Sequence, residues 1–448
     1  MALENSSLMA EVQTIQATQG KPVNRKLTAE ILANNIKFPV MKVVGMVVHR
    51  DYVNNYADET FLEVIMGAGQ FANRVYPYKS NLVLTLYSRN VDPVTKDNLR
   101  AAAIRVEQYR AVLVDSQAET MEKKDDTAAS TEAMDLTDLK RVRFQLIDMG
   151  VEQIRSMTVG TIPQNCAPGD ILKTLLTHMI KDAKVDDRQS VTGVEMWPPT
   201  NTEVVKQVPI KHRLPLTDLG DLMQNAVGLY STGFGNYIQK GLWYVYPLCD
   251  WERFDNDLKS LTLIGVPKKK FNGTERTFRQ TANQTIALVS GEISTADMTE
   301  RRRMAEGNGV RFTDPSRALK AYTVTEGNKA TVMRDELNSE FTTHESPTGF
   351  NRTPSAGKPF TANKMVQLSQ LTAREGTLMA VAWDYSDIDA ITPGMPVKFM
   401  YESEGSIVEV QGIVWEAIHT FKAIQPGITE GPHQCTTMLL LNVNVILT

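Results

Sequence analysis

Residues Gly394–Phe421, GMPVKFMYESEGSIVEVQGIVWEAIHTF, decide the fold class of this chain. A turn at Pro393-Gly394 precedes the run VKFMY, and a turn at Glu404-Gly405 separates that run from IVEVQGIVWEAIHTF. Such runs joined by short turns are typical of antiparallel strands in a small barrel or sandwich. The chain ends in MLLLNVNVILT (438–448), which predicts a polar face with Asn442 and Asn444 and one opposite apolar face: Leu439, Leu441, Val443, Val445 and Leu447.

The same period of two occurs further towards the N-terminus, where patterning starts at Phe38. In Leu82–Ser88, LVLTLYS, leucines at 82, 84 and 86 alternate with other residues. Further candidate strands share this β-branched, apolar character. They are FLEVIM (61–66), VRFQLI (142–147), LTLIGV (261–266), TIALVSGEIS (285–294) and LMAVAW (378–383).

Two segments have the period of an amphipathic helix instead. The first follows Pro168-Gly169-Asp170, where Asp170 is predicted to cap the helix; its apolar stripe is Ile171, Leu172, Leu175, Leu176, Met179 and Ile180. The second lies in LTDLGDLMQNAVGLY (216–230), with Thr217 or Asp218 as the cap; its stripe is Leu219, Leu222, Met223, Ala226, Val227 and Tyr230. The chain is therefore predicted to be β-rich with some helix.

Length and composition predict a globular, soluble protein of two to four domains. The 448 residues carry a net charge of −4 with pI 6.0, which argues against wrapping of nucleic acid. Cys166, Cys249 and Cys435 are far apart and odd in number, so we expect neither disulfides nor a cysteine zinc site, as in a reducing cytoplasm. We also expect no secretory signal and no transmembrane helix.

Three segments lack strand or helix patterning. Residues 1–35 are polar and read as an N-terminal arm, and residues 116–139 are acidic and free of aromatics, which predicts a flexible insertion. Residues 295–364 are polar and rich in Thr, Asn, Arg and Gly. A segment this long without regular structure is typically functional or extends over a partner.

No catalytic, cofactor-binding or metal-ligating residue is predicted. The six histidines, none of which is in a metal-binding pattern, are His49, His178, His212, His344, His419 and His433. His178 lies at the edge of a helix stripe and is interpreted as partly buried. Gly67-Ala68-Gly69 and Gly233-Phe234-Gly235 lack the full spacing of a nucleotide-binding loop, so turns or bulges are the better interpretation.

Three aspartates, two basic runs and the tryptophans are further candidate site residues. Asp384, Asp387 and Asp389 could form an acid/base or cation site, but their sequence favours a solvated loop. The basic runs 268–270 and 301–303 favour turns or subunit contacts, although a weak contact of Arg301–Arg303 with nucleic acid stays open. Four tryptophans lie in or beside apolar strand patterns and are predicted to be core: Trp243, Trp251, Trp383 and Trp415. Trp197, beside Pro198-Pro199, is the exception.

The order of these elements resembles that of the baseplate hub proteins of contractile-tailed bacteriophages, relatives of the hub part of VgrG in type VI secretion. A β-rich first domain leads through VRFQLIDMG into PGDILKTLLTHMIKDA, and IKHRLPLTDLGDLMQNAVGLYSTGFGNYIQKGLWYVYPLCDWERFD follows. The barrel-like Gly394–Phe421 comes last. The resemblance covers residues 37–291 and 378–448 and rests on element order, with no invariant signature.

The resemblance implies a multidomain, β-rich α+β fold with two tube-type antiparallel β-barrel domains and smaller α/β connecting domains. The arm would be 1–35, the first barrel 36–150 with insertion 116–139, the connecting domains 151–275, and the second barrel 276–448 with insertion 295–364. It implies a homotrimeric, non-enzymatic hub without cofactors. The tail tube protein would bind above, the central spike below, other baseplate proteins beside it, and DNA would pass through the channel.

By the same resemblance the chain would be made in the host cytoplasm, reside in the virion and contact no membrane. Three alternatives stay open at this point. The chain could be another tail ring protein, such as a tube terminator, sheath initiator or neck protein. It could be a tail-associated wall hydrolase, which would need two carboxyl groups in a cleft. It could also be a receptor-binding or glycan-binding β-protein.

Overall fold

A computed structural model shows a β-rich α+β protein, and this part of the predicted fold class is confirmed. Most of the strands join one large mixed sheet, and the others form small two- and three-stranded sheets. The structure describes residues 10, 12–15, 24–91, 104–114, 139–183, 190–255, 259–266, 277–290, 294–297, 325–326, 329–330, 377–403, 406–424 and 430–444.

The strands and helices are numbered in chain order. The strands are β1 (Asn24–Ala33), β2 (Ile36–Pro39), β3 (Lys42–Asp51), β4 (Glu59–Gly67), β5 (Leu82–Val91), β6 (Arg105–Leu113), β7 (Leu139–Asp148), β8 (Thr158–Thr161), β9 (Gln164–Cys166), β10 (Gly193–Met196), β11 (Val205–Gln207), β12 (Ile210–Pro215), β13 (Phe234–Gln239), β14 (Leu242–Pro247), β15 (Ser260–Val266), β16 (Phe278–Gln280), β17 (Gln284–Ser290), β18 (Ser294–Asp297), β19 (Thr325–Glu326), β20 (Lys329–Ala330), β21 (Thr377–Asp384), β22 (Pro396–Ser403), β23 (Ser406–Ala423) and β24 (Pro432–Asn444). Residues 12–15 are α-helical, and the longer helices further along the described chain are α1 (Met149–Arg155), α2 (Pro168–Asp182) and α3 (Leu219–Ala226).

Eight strands of the large sheet pair edge to edge until the last returns to the first. Their order is β23, β3, β4, β7, β6, β5, β1 and β24, and β24 pairs again with β23. We call this closed set the first ring. Its alternate side chains point inward into one core with Leu62, Val64 and Phe144 at its centre, each without exposed surface. The period of two therefore separates an apolar inside from a mixed outside.

A second set of strands encloses another core. β17, β15, β22, β23, β24 and β21 are paired in that order, and β17 lies against β21 where the set returns on itself. We call it the second ring. Trp383, Phe399 and Leu441 are fully buried in its core. Unlike the first ring it contains parallel pairs, because β15 runs parallel to both β17 and β22.

The two rings share β23 and β24. The first half of β23 pairs with β22 of the second ring, and its second half pairs with β3 of the first ring. The pairing of β23 with β24 shifts register between Val414 and Glu416, which leaves Trp415 as the extra residue of a bulge. A bulge bends a strand and changes which way its side chains point. Accordingly, Val414 packs into the second core and Phe421 into the first.

A third core lies in the connecting segment between β7 and β15. It is formed by α1, α2 and α3 with the sheet β10–β14–β13, and Leu172, Leu219 and Trp243 are buried in it. Two short antiparallel pairs, β8 with β12 and β9 with β11, extend from this segment. Within the described part of the chain, no helix is long and apolar enough to cross a membrane.

Both helices that the sequence predicted are present, but their caps differ. α2 begins at Pro168 after Ala167, and no side chain caps it; Asp170 is inside the first turn, where a negative charge still favours the helix N-terminus. Asp218 occupies the N-cap position of α3 without making a cap bond. α3 also ends at Ala226, before Tyr230, because Gly228 has a positive φ of 76° and ends the helix.

Two other predictions need correction. β1 and the first two residues of β2 lie outside the patterning predicted to start at Phe38, and β1 falls within the predicted arm, so the first ring takes β1, β23 and β24 from outside 36–150. Asn442, expected on a polar face, is fully buried and accepts a hydrogen bond of 2.8 Å from Trp251 Nε1. The proposed faces at Val445 and Leu447 and residues 116–138 of the predicted insertion lie outside the described residues, as does nearly all of 295–364; Leu139, the last residue of that insertion, begins β7.

Candidate functional site: a charged junction between the rings

Charged side chains from three parts of the fold meet at one end of the first ring. Asp387 and Asp389 lie in the short helical turn after β21; the Asp387 carboxylate accepts a 3.0 Å hydrogen bond from the Asp389 backbone N–H, which fixes the turn. Lys240 lies in the two-residue turn between β13 and β14, where Lys240 and Gly241 both have positive φ. Arg25 and Arg105 come from β1 and β6 of the first ring.

Asp389 is the centre of this group. Arg105 and Lys240 contact its Oδ1 at 2.7 and 2.6 Å, and Arg25 contacts its Oδ2. Arg25 also binds Asp387 at 2.9 Å. Burial alone would raise the pKa of Asp389, but the three cations overcome this effect and hold the pKa far below its usual range. Asp389 is therefore a carboxylate at any physiological pH.

A second group lies next to the first. Arg50 is buried and donates from Nε to Asp58 at 3.1 Å and from Nη1 to the Ile388 carbonyl at 2.9 Å. Asp58 accepts a further 2.9 Å bond from the Tyr237 hydroxyl. This group thus links β3 of the first ring to β13 of the connecting segment and to the Asp389 turn.

His419 completes the junction from β23. Its Nε2 lies 3.3 Å from Arg50 Nη1, and its Nδ1 lies 2.7 Å from the Thr437 hydroxyl, which lies 2.6 Å from the hydroxyl of Ser386. Because Arg50 can only donate, Nε2 is the acceptor and Nδ1 carries the proton. Burial, and next the positive charge of Arg50, lower the pKa of His419 well below its ordinary value, so the ring is neutral.

Some of these groups line a cavity of about 400 Å³ at the end of the first ring: Arg25, Arg50, Asp58, Arg105, Lys240 and Asp389. A cavity of this size could hold a small molecule. Its lining carries five cationic and five anionic side chains: Arg25, Arg50, Arg105, Arg155 and Lys240, and Asp58, Glu59, Glu107, Asp148 and Asp389. The balanced charge gives no preference for an anion or a cation. The arrangement is suited to fixing three structural units relative to one another.

The structure corrects the interpretation of the aspartates at 384, 387 and 389 as a solvated loop. Asp387 and Asp389 have side chains only 14% and 32% exposed and are paired with cations, and Asp384 accepts a 3.2 Å bond from Thr436. Asp389 also cannot supply the protonated carboxyl group that acid catalysis needs. Its partners could not be predicted from the sequence, since Arg25 lies 364 positions away.

Other single residues differ from prediction in part. His178 has a side chain 78% exposed and is not partly buried, because it lies on the solvent side of α2. Trp197 packs against the second and third cores, with the guanidinium of Arg253 4.7 Å from its ring centre. Trp243 and Trp383 are core as predicted, and Trp251 and Trp415 are partly buried against the second core.

The two glycine pairs, interpreted above as turns or bulges, lie at the ends of elements: Gly69 is in the short helix Ala68–Gln70, and Gly235 is inside β13. Gly67 ends β4, and Gly233, with φ of 111°, precedes β13. The basic runs 268–270 and 301–303 and His344 lie outside the described residues. Across the described ranges, no group of three or more His, Cys, Asp or Glu could hold a metal ion. Cys249 and Cys435 are buried, Cys166 is exposed, and all three are free thiols.

No family model matches the chain, and no curated protein matches it in sequence. Solved structures do. A tail protein from Neisseria meningitidis matches at 9% identity and TM-score 0.43, covering 93% of this chain and 96% of that one. The 43 kDa tail protein of prophage MuSo2 from Shewanella oneidensis matches at 9% identity and TM-score 0.44. The match covers 92% of this chain and 96% of that one.

A component of the E. coli type VI secretion system, described as similar in structure to tail proteins of bacteriophage T4, matches at 10% identity and TM-score 0.41. The match covers 93% of this chain and 77% of that one. The structural similarity to phage tail and type VI secretion proteins that the element order predicts is therefore confirmed. With identities near 10% and TM-scores below 0.5, it assigns no function by itself.

Proposed function

We propose that this chain is a structural subunit of a phage tail baseplate and forms its trimeric hub. Each of its two strand rings would be a tube-type β-barrel. The observation that carries the proposal is that the rings share β23 and β24, so that one subunit holds two barrel modules in a fixed relative orientation. Three such subunits would present six modules to a six-fold tail tube and three-fold symmetry to a central spike.

The charged junction supports a structural role. It joins the first ring, the connecting segment and the turn after β21 through ion pairs and hydrogen bonds that are partly or fully buried. Each cation in it has an acidic or carbonyl partner, and Asp389 and His419 are held in one protonation state. Such a site is suited to holding the modules together, whereas general acid–base catalysis needs a group that exchanges protons.

On this proposal the subunit needs no cofactor. Its partners are two further copies of itself, the tail tube protein, the central spike and neighbouring baseplate proteins. It resides in the virion, and the centre of the ring is the channel for genome ejection. The contacts between subunits should be large, ~2,000 Å² or more, as in obligate oligomers.

Native mass spectrometry of the purified full-length chain tests the proposal. A species of three times the 50.0 kDa chain mass is expected, and electron microscopy of that species should show six densities around a central channel. A six-subunit ring would contradict the hub and favour a tube terminator or sheath initiator. A chain that stays monomeric, and that mixing with its tail tube protein does not assemble, would contradict both.

A further inference from the structure

The end of the first ring opposite the charged junction is a continuous surface of three segments, residues 34–41, 67–81 and 139–140, which we call the distal face. The Asn34 amide donates to the Tyr78 hydroxyl at 3.1 Å, which joins the first two segments. The centre of the Phe71 aromatic ring lies 5.8 Å from the centre of the Tyr76 aromatic ring and 4.7 Å from Lys140 Nζ. These contacts join the second and third segments. Between strands, Gly67 pairs with Leu139.

The distal face exposes large apolar side chains. Of the twelve such side chains exposed in the described residues, five are here: Ile36 (51%), Met41 (43%), Tyr76 (40%), Tyr78 (40%) and Leu139 (42%). Scattered single apolar residues are normal at a protein surface, but a contiguous group marks an interaction site. Two of the five are tyrosines and one is a methionine, residue types enriched at protein interfaces.

The distal face also has one sign of charge. Its segments contain Lys37, Arg74, Lys79 and Lys140 and no Asp or Glu, although the whole chain has a net charge of −4. Lys79 Nζ lies 4.5 Å from the centre of the Tyr76 ring, and Lys140 is over Phe71, so the cations are interleaved with the aromatic rings. A partner must therefore offer apolar surface at its centre and carboxylates around it.

We propose that the distal face binds the tail tube protein, through a contact surface on that protein with an apolar centre and an acidic rim. The aliphatic side chains of Ile36, Met41 and Leu139 favour a protein over nucleic acid, which would be contacted through phosphates and stacked bases. The identity of the partner rests on the proposed function; the chemistry of the face does not.

Charge reversal on the full-length chain tests this assignment. The variant K37E/K79E/K140E should bind the purified tail tube protein of the same virus at least tenfold more weakly than the wild type and should still form the wild-type oligomer. The control K173E/K181E/K206E changes the charge equally at exposed positions on α2 and β11, and should bind like the wild type. A photo-reactive residue at Tyr78, but not at His178, should cross-link to the tube protein.

The outcomes separate the two proposals. If the wild type binds the tube protein and both triple variants bind equally well, the distal face is not the contact and the hub function stands. If the wild type binds no tube protein, both proposals are overturned. Binding of the wild type, but not of K37E/K79E/K140E, to phosphatidylglycerol vesicles, with tube binding unchanged, would show a membrane-binding face and overturn the assignment.

Discussion

His419 is a buried base that the fold keeps neutral. It lies between the Arg50 guanidinium and the Thr437 hydroxyl, and further charges face it from other elements: Arg25, Lys240 and Asp389. An added proton would place a second positive charge beside Arg50 in an interior where neither can reach water. Protonation of His419 therefore lowers the free energy of unfolding.

We expect stability to fall in mild acid because of His419. Its pKa is lower in the folded than in the unfolded chain, so its contribution is complete above about pH 6.5 and is lost as the pH falls below that value. Between pH 7.5 and 5.5 the wild type should lose roughly 1 kcal/mol more of its unfolding free energy than H419Q. Urea unfolding at both pH values measures this, with H178Q at an exposed position as the control. Equal losses in the wild type and H419Q would contradict it.

Strands with strict alternation could be predicted from sequence, and the reason is local. In β5 and β24 the apolar side chains that fill a core recur every second residue, so the pattern is visible without knowing the partner strands. β1 was missed, although Leu27, Ala29, Ile31 and Ala33 alternate in it, because polar residues surround it. The cluster around Asp389 could not be predicted, since its cations lie 149 to 364 positions away from Asp389 in the chain.

Gly412 in β23 is required for the pairing of the two shared strands. A Cβ at this position would overlap the backbone oxygen of Asn442 in β24. G412A should therefore force the strands apart and lower the unfolding free energy by ~2 kcal/mol or more. G45A in β3 is the matched control, because its Cβ would meet the Phe421 oxygen at 3.0 Å and needs only a small shift. Chemical unfolding compares the two; a G412A protein as stable as G45A would contradict the packing described.

The molecule should unfold its two rings together, because neither is complete without β23 and β24. F144A removes a buried aromatic side chain from the first core, and F399A removes one from the second core. Each substitution should lower the free energy of unfolding by ~3–5 kcal/mol. Calorimetry should show that both variants lower the midpoint temperature of the same unfolding transition. V112A, at a side chain that is 41% exposed, should leave that temperature nearly unchanged. Two separate transitions, each moved by one variant alone, would contradict this coupling.

The shared strands also determine the order in which parts of the chain can fold during translation. β1 and β3–β7 leave the ribosome early, but the first ring cannot close until β23 and β24, ending at Asn444, have been translated. Until then β3 and the start of β1, at Arg25 and Lys26, lack their partner strands, and pairing over such sequence distances is slow. A polypeptide released before its last strands therefore has no closed ring. Its unpaired strand edges would favour aggregation.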